Sequence, residues 1–92
     1  MIRGFKCPDA RQLHHGFFVK RFSGIQEAAR RRLRFLDAAL SLSDLAAIRG
    51  NRLETLLGDR KGQYSIRIND QWRICFRFVD SQAVDVEIVD YH

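Results

Sequence analysis

Three arginines, Arg67, Arg73 and Arg77, recur at even spacings within extended segments, and the last two residues of the sequence are Tyr91 and His92. If the segments pair as neighbouring strands, all three guanidinium groups emerge on one side of a sheet, and Tyr91 falls on that side by period-two counting. Guanidinium forks bind phosphate oxygens bidentately. A phenol and an imidazole beside them supply proton transfer and charge stabilisation, which is what cleavage of a phosphodiester requires. RNA carries its own nucleophile, the 2′-hydroxyl, so a site of this kind requires neither a metal nor a covalent residue. Two plainer readings stay open at this point. Asp85 and Glu87 on the next segment can neutralise the arginines, since like charges facing each other on a sheet are destabilising, and a terminal Tyr-His can be a frayed end.

Composition narrows the class. The 92 residues carry 16 Lys and Arg against 11 Asp and Glu, a net charge of +5, and the sequence pI is near 9.9. Such a balance favours a polyanion or an acidic protein as partner. No apolar run reaches the roughly 18 residues that a membrane span requires, and Met1–Lys6 has no apolar stretch long enough for a secretory signal. Cys7 and Cys75 are too few for a disulfide framework and sit beside apolar residues, so both are expected as buried thiols in a reducing cytoplasm. His14 and His15 are adjacent, so on a helix they diverge by about 100°. Without a Cys-x-x-Cys or His-x-x-x-His spacing, neither a metal site nor a cofactor is expected. The run Arg30-Arg31-Arg32-Leu33-Arg34 is either a solvated helix face or a grip on RNA or ribosome.

The elements that position these groups follow from periodicity. Residues 2–6 read as a first strand, and Pro8 opens a short helix that Gly16 ends. Phe17, Phe18, Val19 and Phe22 read as a connection whose aromatics anchor it to the core. Ser23 is expected to cap a helix over about 24–40, with Gln26 in the capping-box position. Its apolar stripe comprises Ile25, Ala28, Ala29, Leu33, Leu36, Ala39 and Leu40, with Arg32 snorkelling out of it. A short helix capped by Ser43 and stopped by Gly50 follows. From about residue 52 the period changes to two. Arg52–Leu56 reads as a strand and Gly58–Gly62 as a loop. Tyr64, Ile66 and Ile68, then Trp72, Ile74, Phe76 and Phe78, then Val84, Val86 and Ile88 each alternate with outward-facing residues. Asn69-Asp70-Gln71 and Asp80-Ser81-Gln82 are the turns of this meander. With a three-residue first turn, Arg67 faces Arg73. Helices must cover the apolar side, which gives an α+β fold in a single domain over residues 1–92.

Asn51-Arg52-Leu53-Glu54-Thr55-Leu56, the run from Gly58-Asp59-Arg60 through Trp72-Arg73-Ile74-Cys75-Phe76, and the ending Val86-Glu87-Ile88-Val89-Asp90-Tyr91-His92 closely resemble the HigB branch of the RelE toxin superfamily, most of all its GraT-type members. The opening Met1–Lys6 fits as well, so the resemblance spans essentially the whole chain. It implies N-terminal helices packed on one face of a curved antiparallel sheet. It also implies a type II toxin that cleaves translated messenger RNA in the ribosomal A site by attack of the 2′-oxygen on the adjacent phosphate. Carried over by position, Arg73 stabilises phosphate charge, and Asp90, Tyr91 and His92 form the acid–base and positioning end of the site. Arg60 and Arg67 contact phosphate or ribosomal RNA. Arg77 and Lys61 complete that binding set, although Lys61 also reads as a solvated loop residue. Some relatives have histidine at the position of Glu54 and lysine at that of Leu57. Leu57 transfers no proton, so either Glu54 or His92 is the general base, and milder toxicity is expected than from a member with the full basic set.

The same resemblance implies a HigA-type helix-turn-helix antitoxin bound to the helical side, with operator DNA contacted only through that complex and the 70S ribosome as the site of action. Two rivals share the fold. A non-catalytic RNA- or ribosome-binding protein would not depend on Tyr91 and His92, and a gyrase poison would damage DNA and leave transcripts intact.

Overall fold

The computed structural model of the chain describes residues 1–90. Its order is helix α1 (Pro8–His14), helix α2 (Gln26–Ala38), helix α3 (Leu42–Ala46), then strands β1 (Glu54–Thr55), β2 (Tyr64–Arg67), β3 (Trp72–Val79) and β4 (Gln82–Asp90). The strands form one antiparallel sheet in the order β1-β2-β3-β4. Helical residues Ala10, Leu13, Ala29, Leu33, Leu36 and Leu45 pack with Ile66, Ile74, Phe76, Val86 and Ile88 in one buried cluster. The α+β expectation holds. No helix among the described residues is long and apolar enough to cross a membrane.

Local signals explain most boundaries. Pro8 occupies the first turn of α1, where its missing N–H leaves no bond unmade. At the other end Gly16 adopts φ 95° while the Gly16 and Phe17 amides donate to the carbonyls of Leu13 and Gln12, a closure that favours glycine. The start of α2 differs from expectation. Ile25 is the cap residue, Ser23 lies outside it, and Gln26 donates instead to the Val19 carbonyl at 2.9 Å. α2 also stops at Ala38, so Leu40 is exposed, and Ala28 lies on the solvent side of the stripe. For α3 the cap is Ser41 rather than Ser43: its hydroxyl accepts from the Asp44 amide, and the Asp44 carboxylate accepts from the Ser41 amide. That helix ends at Ala46 and does not run to Gly50.

Three further expectations are corrected. Residues 2–6 make only isolated parallel bridges to β4, at Ile2–Ala83 and Phe5–Val86, helped by a bond from the Ile2 amide to Asp37 at 2.8 Å. Phe17 and Phe18 do not anchor to the core: they are 61% and 68% exposed, and Phe22 alone of that group is fully buried. Cys7 is half-buried, whereas Cys75 is buried as expected.

The sheet keeps the expected register at its first hairpin, where Arg67 faces Arg73. Asn69 fixes that turn by accepting from the amides of Gln71 and Trp72, each at 2.8 Å. The second hairpin is one residue tighter than expected. Val79 pairs with Gln82, and Asp80 and Ser81 both take positive φ, the pattern of a two-residue primed turn. A bulge then inserts an extra residue in β4 between the Cys75–Glu87 and Arg77–Val84 pairs, with Asp85 at φ 53°. The bulge reverses the parity of the start of β4. Ala83, not Val84, is the residue buried in the core, and Val84 shares the outer face with Arg77.

A buried polar hub ties the helices to the sheet. Asn51 is fully buried; its side-chain Nδ2 donates to the Leu45 carbonyl at 3.1 Å, and its side-chain oxygen accepts from Arg32 at 2.8 Å. The Asn51 carbonyl accepts from the Arg67 amide of β2. Arg32 therefore leaves the apolar stripe for a specific partner rather than for water. Burial and the neighbouring Arg31 and Arg67 charges lower its pKa.

Candidate active site

Cross-strand partners share a face, so the pairing places Glu54, Ser65, Cys75 and Glu87 in one row across the outer side of the sheet. The next row carries Arg67, Arg73 and Val89. Arg73 is thus outward-facing as expected, yet it is only 7% exposed. Segment 51–54 overlies it. Its Nε donates to the Ser65 hydroxyl at 2.8 Å, one Nη donates to the Arg52 carbonyl at 2.7 Å, and the other lies 3.6 Å from the Glu54 carboxylate. A buried charge is retained only when it is paired and hydrogen-bonded, and here both conditions are met. Glu54 is about half exposed, so this ion pair opens to solvent on its carboxylate side.

The other arginines are partnered too. Arg60 pairs with Glu87 at 2.6 Å and donates to Gln63, and Lys6 lies 4.0 Å from the same carboxylate. Arg77 lies 3.6 Å from Asp85, and Arg67 bonds Asp70 at the hairpin, which lowers the Asp70 pKa. The neutralising role foreseen for Asp85 and Glu87 is therefore real, but it serves Arg77, Arg60 and Lys6. Arg73 turns to Glu54 instead. Lys61 is exposed in the loop, and so is Leu57. Burial pushes the Cys75 thiol up, so this residue of the outer row stays an unreactive thiol.

The structure brings Glu54 and Arg73 together, and Arg60 reaches Glu87 of β4 at the other end of the outer row that starts at Glu54. It does not bring Asp90 to that face. Asp90 pairs with Trp72, so it lies on the parity of the helix-covered side, where its carboxylate accepts from Gln71 at 3.0 Å. Tyr91 and His92 lie outside the described residues. Sequence reasoning missed Ser65, the Arg52 carbonyl and Asn51. A small polar residue in phase with Arg67 was the available sign for Ser65; a backbone carbonyl leaves no sign.

A model of the RelE-like toxin of the type II toxin–antitoxin system HigB matches residues 5–92. The chain belongs to this HigB-like toxin family. Toxin HigB-1 of Vibrio cholerae serotype O1 is 48% identical over 63 residues, 68% of this chain and 66% of that protein. Endoribonuclease HigB of Proteus vulgaris is 36% identical over 61 residues, 66% of this chain and 65% of that protein. The alignments thus span just under two thirds of these HigB relatives. In fold the chain is similar to a toxin–antitoxin complex, YoeB-YefM of Staphylococcus aureus: TM-score 0.64 and 20% identity, covering 100% of this chain and 98% of that one. A second YoeB-YefM structure gives 0.58 at 19% identity, with the same coverage. The helices-on-sheet arrangement foreseen from the HigB resemblance is therefore shared with solved toxins.

Proposed function

We propose that this HigB-family chain acts as a single-domain toxin in the cytoplasm, cleaving translated messenger RNA in the A site of the 70S ribosome. The observation that carries the reading is Arg73, a nearly buried guanidinium pinned beside Glu54 on the uncovered side of the sheet. The endoribonuclease activity that names the Proteus vulgaris relative supports it. In the reaction a base takes the proton of the 2′-hydroxyl, and the 2′-oxygen attacks the adjacent phosphorus in line. The bond from phosphorus to the 5′-oxygen breaks, a 2′,3′-cyclic phosphate forms, and an acid protonates the departing oxygen. Arg73 stabilises the charge that develops on the phosphoryl oxygens. Glu54 and His92 are the base and acid candidates, with Tyr91 orienting the nucleotide, while Asp90, paired with Trp72 and bonded to Gln71 on the other parity of β4, holds the end of the strand rather than the nucleotide. Arg60, Arg67, Arg77 and Lys61 contact phosphates or ribosomal RNA. The substrate supplies the nucleophile, so the scheme uses no metal and no cofactor.

The test is to induce the chain without an antitoxin and map transcript 5′ ends, with Glu54→Gln and His92→Ala variants alongside. New cuts inside translated frames are expected, and each variant is expected to lower cutting about a hundredfold. Glu54→Gln cutting at the wild-type rate would assign the base role to His92. Growth arrest with intact transcripts would sink the ribonuclease reading in favour of ribosome binding or an effect on DNA topology.

The partner we propose is a HigA-type helix-turn-helix antitoxin, with operator DNA bound only through the complex. The exposed pair Phe17–Phe18 supports a docking role for the helical side, since Arg30 bonds the Phe17 carbonyl at 2.9 Å and exposed Arg31 and Arg34 follow on α2. An acidic surface with an apolar anchor fits that patch. Replacing both residues, Phe17→Ser with Phe18→Ser, is expected to weaken antitoxin affinity by at least about thirtyfold in calorimetry, as aromatic anchors at interface centres do. Unchanged affinity would move the interface elsewhere.

A further inference from the structure

We infer that Ser65 is a positioning residue for Arg73, and this inference rests on the ribonuclease reading above. A guanidinium on a long stem has many rotamers, and a phosphate met by a wandering fork gains little. Here one edge of the fork is fixed at two points. Arg73 Nε donates to Ser65 Oγ at 2.8 Å and the adjacent Nη donates to the Arg52 carbonyl at 2.7 Å, with the Ser65 carbonyl a further 3.5 Å contact. Two bonds along one edge set both the position and the plane of the group.

Ser65 suits this role because its backbone is paired on both sides and water does not reach it. It is fully buried in β2, locked between Glu54 of β1 and Cys75 of β3 in the sheet register. The sheet therefore fixes the direction of its Cβ, and the bond to Arg73 Nε holds the hydroxyl in one rotamer. The second anchor is equally fixed: Arg52 adopts φ 45°, uncommon for a residue with a side chain, and the preceding Asn51 is held in the buried hub. The remaining Nη is the one directed to Glu54 at 3.6 Å and the solvent-facing side. Ser65 thus orients the fork so that this outer edge meets the phosphate, without itself touching RNA.

The experiment compares wild type, Ser65→Ala and Ser65→Thr in two readouts. In single-turnover cleavage of message on programmed ribosomes, Ser65→Ala is expected to lower the rate constant between about tenfold and a hundredfold while affinity for the ribosome changes less than about twofold. Ser65→Thr keeps the hydroxyl and is expected to restore most of the rate. In nitrogen-15 spectra of the free chain, the Arg73 Nε proton is expected to exchange slowly in wild type and Ser65→Thr. In Ser65→Ala it should exchange at least about tenfold faster.

Ser65→Ala cleaving and exchanging like wild type overturns the inference. So does parallel loss of rate, ribosome affinity and melting temperature without rescue by threonine, because that pattern is a packing defect. A wild-type chain that leaves message intact while its Arg73 proton is protected overturns the ribonuclease reading, and with it the catalytic meaning of the clamp. Intact wild-type cleavage beside an unaffected Ser65→Ala overturns only the inference.

Discussion

Replacing Arg73 by lysine is expected to lower cleavage of ribosome-bound message by about a hundredfold or more, although the charge is kept. The reason is geometric. A single ammonium cannot at once satisfy the Ser65 hydroxyl, the Arg52 carbonyl and the Glu54 carboxylate that Arg73 engages and still present a donor to phosphate. Loss of one preorganised donor to a developing oxyanion costs about 10²–10³ in rate in enzymes where it has been isolated. Single-turnover rates measured on protein whose folded fraction has been checked by circular dichroism decide the matter. A lysine variant within about threefold of wild type would show that charge alone suffices, and the fork would lose its assigned role.

The largest effect on stability is expected at Asn51. Asn51→Ala removes the acceptor of Arg32 and the donor to the Leu45 carbonyl, leaving a partly buried guanidinium and a buried carbonyl without those partners. Each such loss costs about 1–3 kcal/mol, more where a charge is involved, so a loss of about 3 kcal/mol is expected. For a chain of this size that corresponds to a fall in melting temperature of roughly 12–24 °C. Asn51→Asp offers Arg32 a carboxylate but no longer donates to Leu45, so it should fall between the two. Urea unfolding that gives less than about 1 kcal/mol for Asn51→Ala would mean that the hub is replaceable by water.

What the sequence made legible, and what it did not, divides along physical lines. The alternation of Ile74, Phe76 and Phe78 with Arg73, Cys75 and Arg77 announced β3, and parity left the Arg67–Arg73 register as the natural one. Parity also misled. The inserted residue at Asp85 has no signature in an alternating pattern, so Val84 was expected inside where Ala83 sits. Phe17 and Phe18 look like core residues by type, and only tertiary placement reveals them as exposed. Ser41 and Ser43 are equivalent as letters, and the capping geometry with Asp44 selects the first. At the site, Glu54, Arg60, Arg67, Arg73 and Arg77 could be named in advance. The burial of Arg73 could not, because it depends on segment 51–54 folding over the sheet. The side taken by Asp90 was legible, since the period-two count that puts Tyr91 outward puts Asp90 on the apolar side, and the Trp72 pairing agrees.

The parallel bridges from Ile2 and Phe5 to β4 have a consequence for how partners can approach. A sheet with an open border invites a foreign strand to dock by main-chain bonds, whether a partner's or a second copy's. Here the Ala83–Val86 part of the β4 border is taken by the chain's own first residues, and the β1 border is only two residues long and carries the charge of Glu54. Each border leaves only a short stretch as a template. Recognition must therefore run through side chains on the two broad faces. If the proposed antitoxin binds the helical face and RNA the arginine face, the two do not compete for backbone, and the short open borders limit templated self-association.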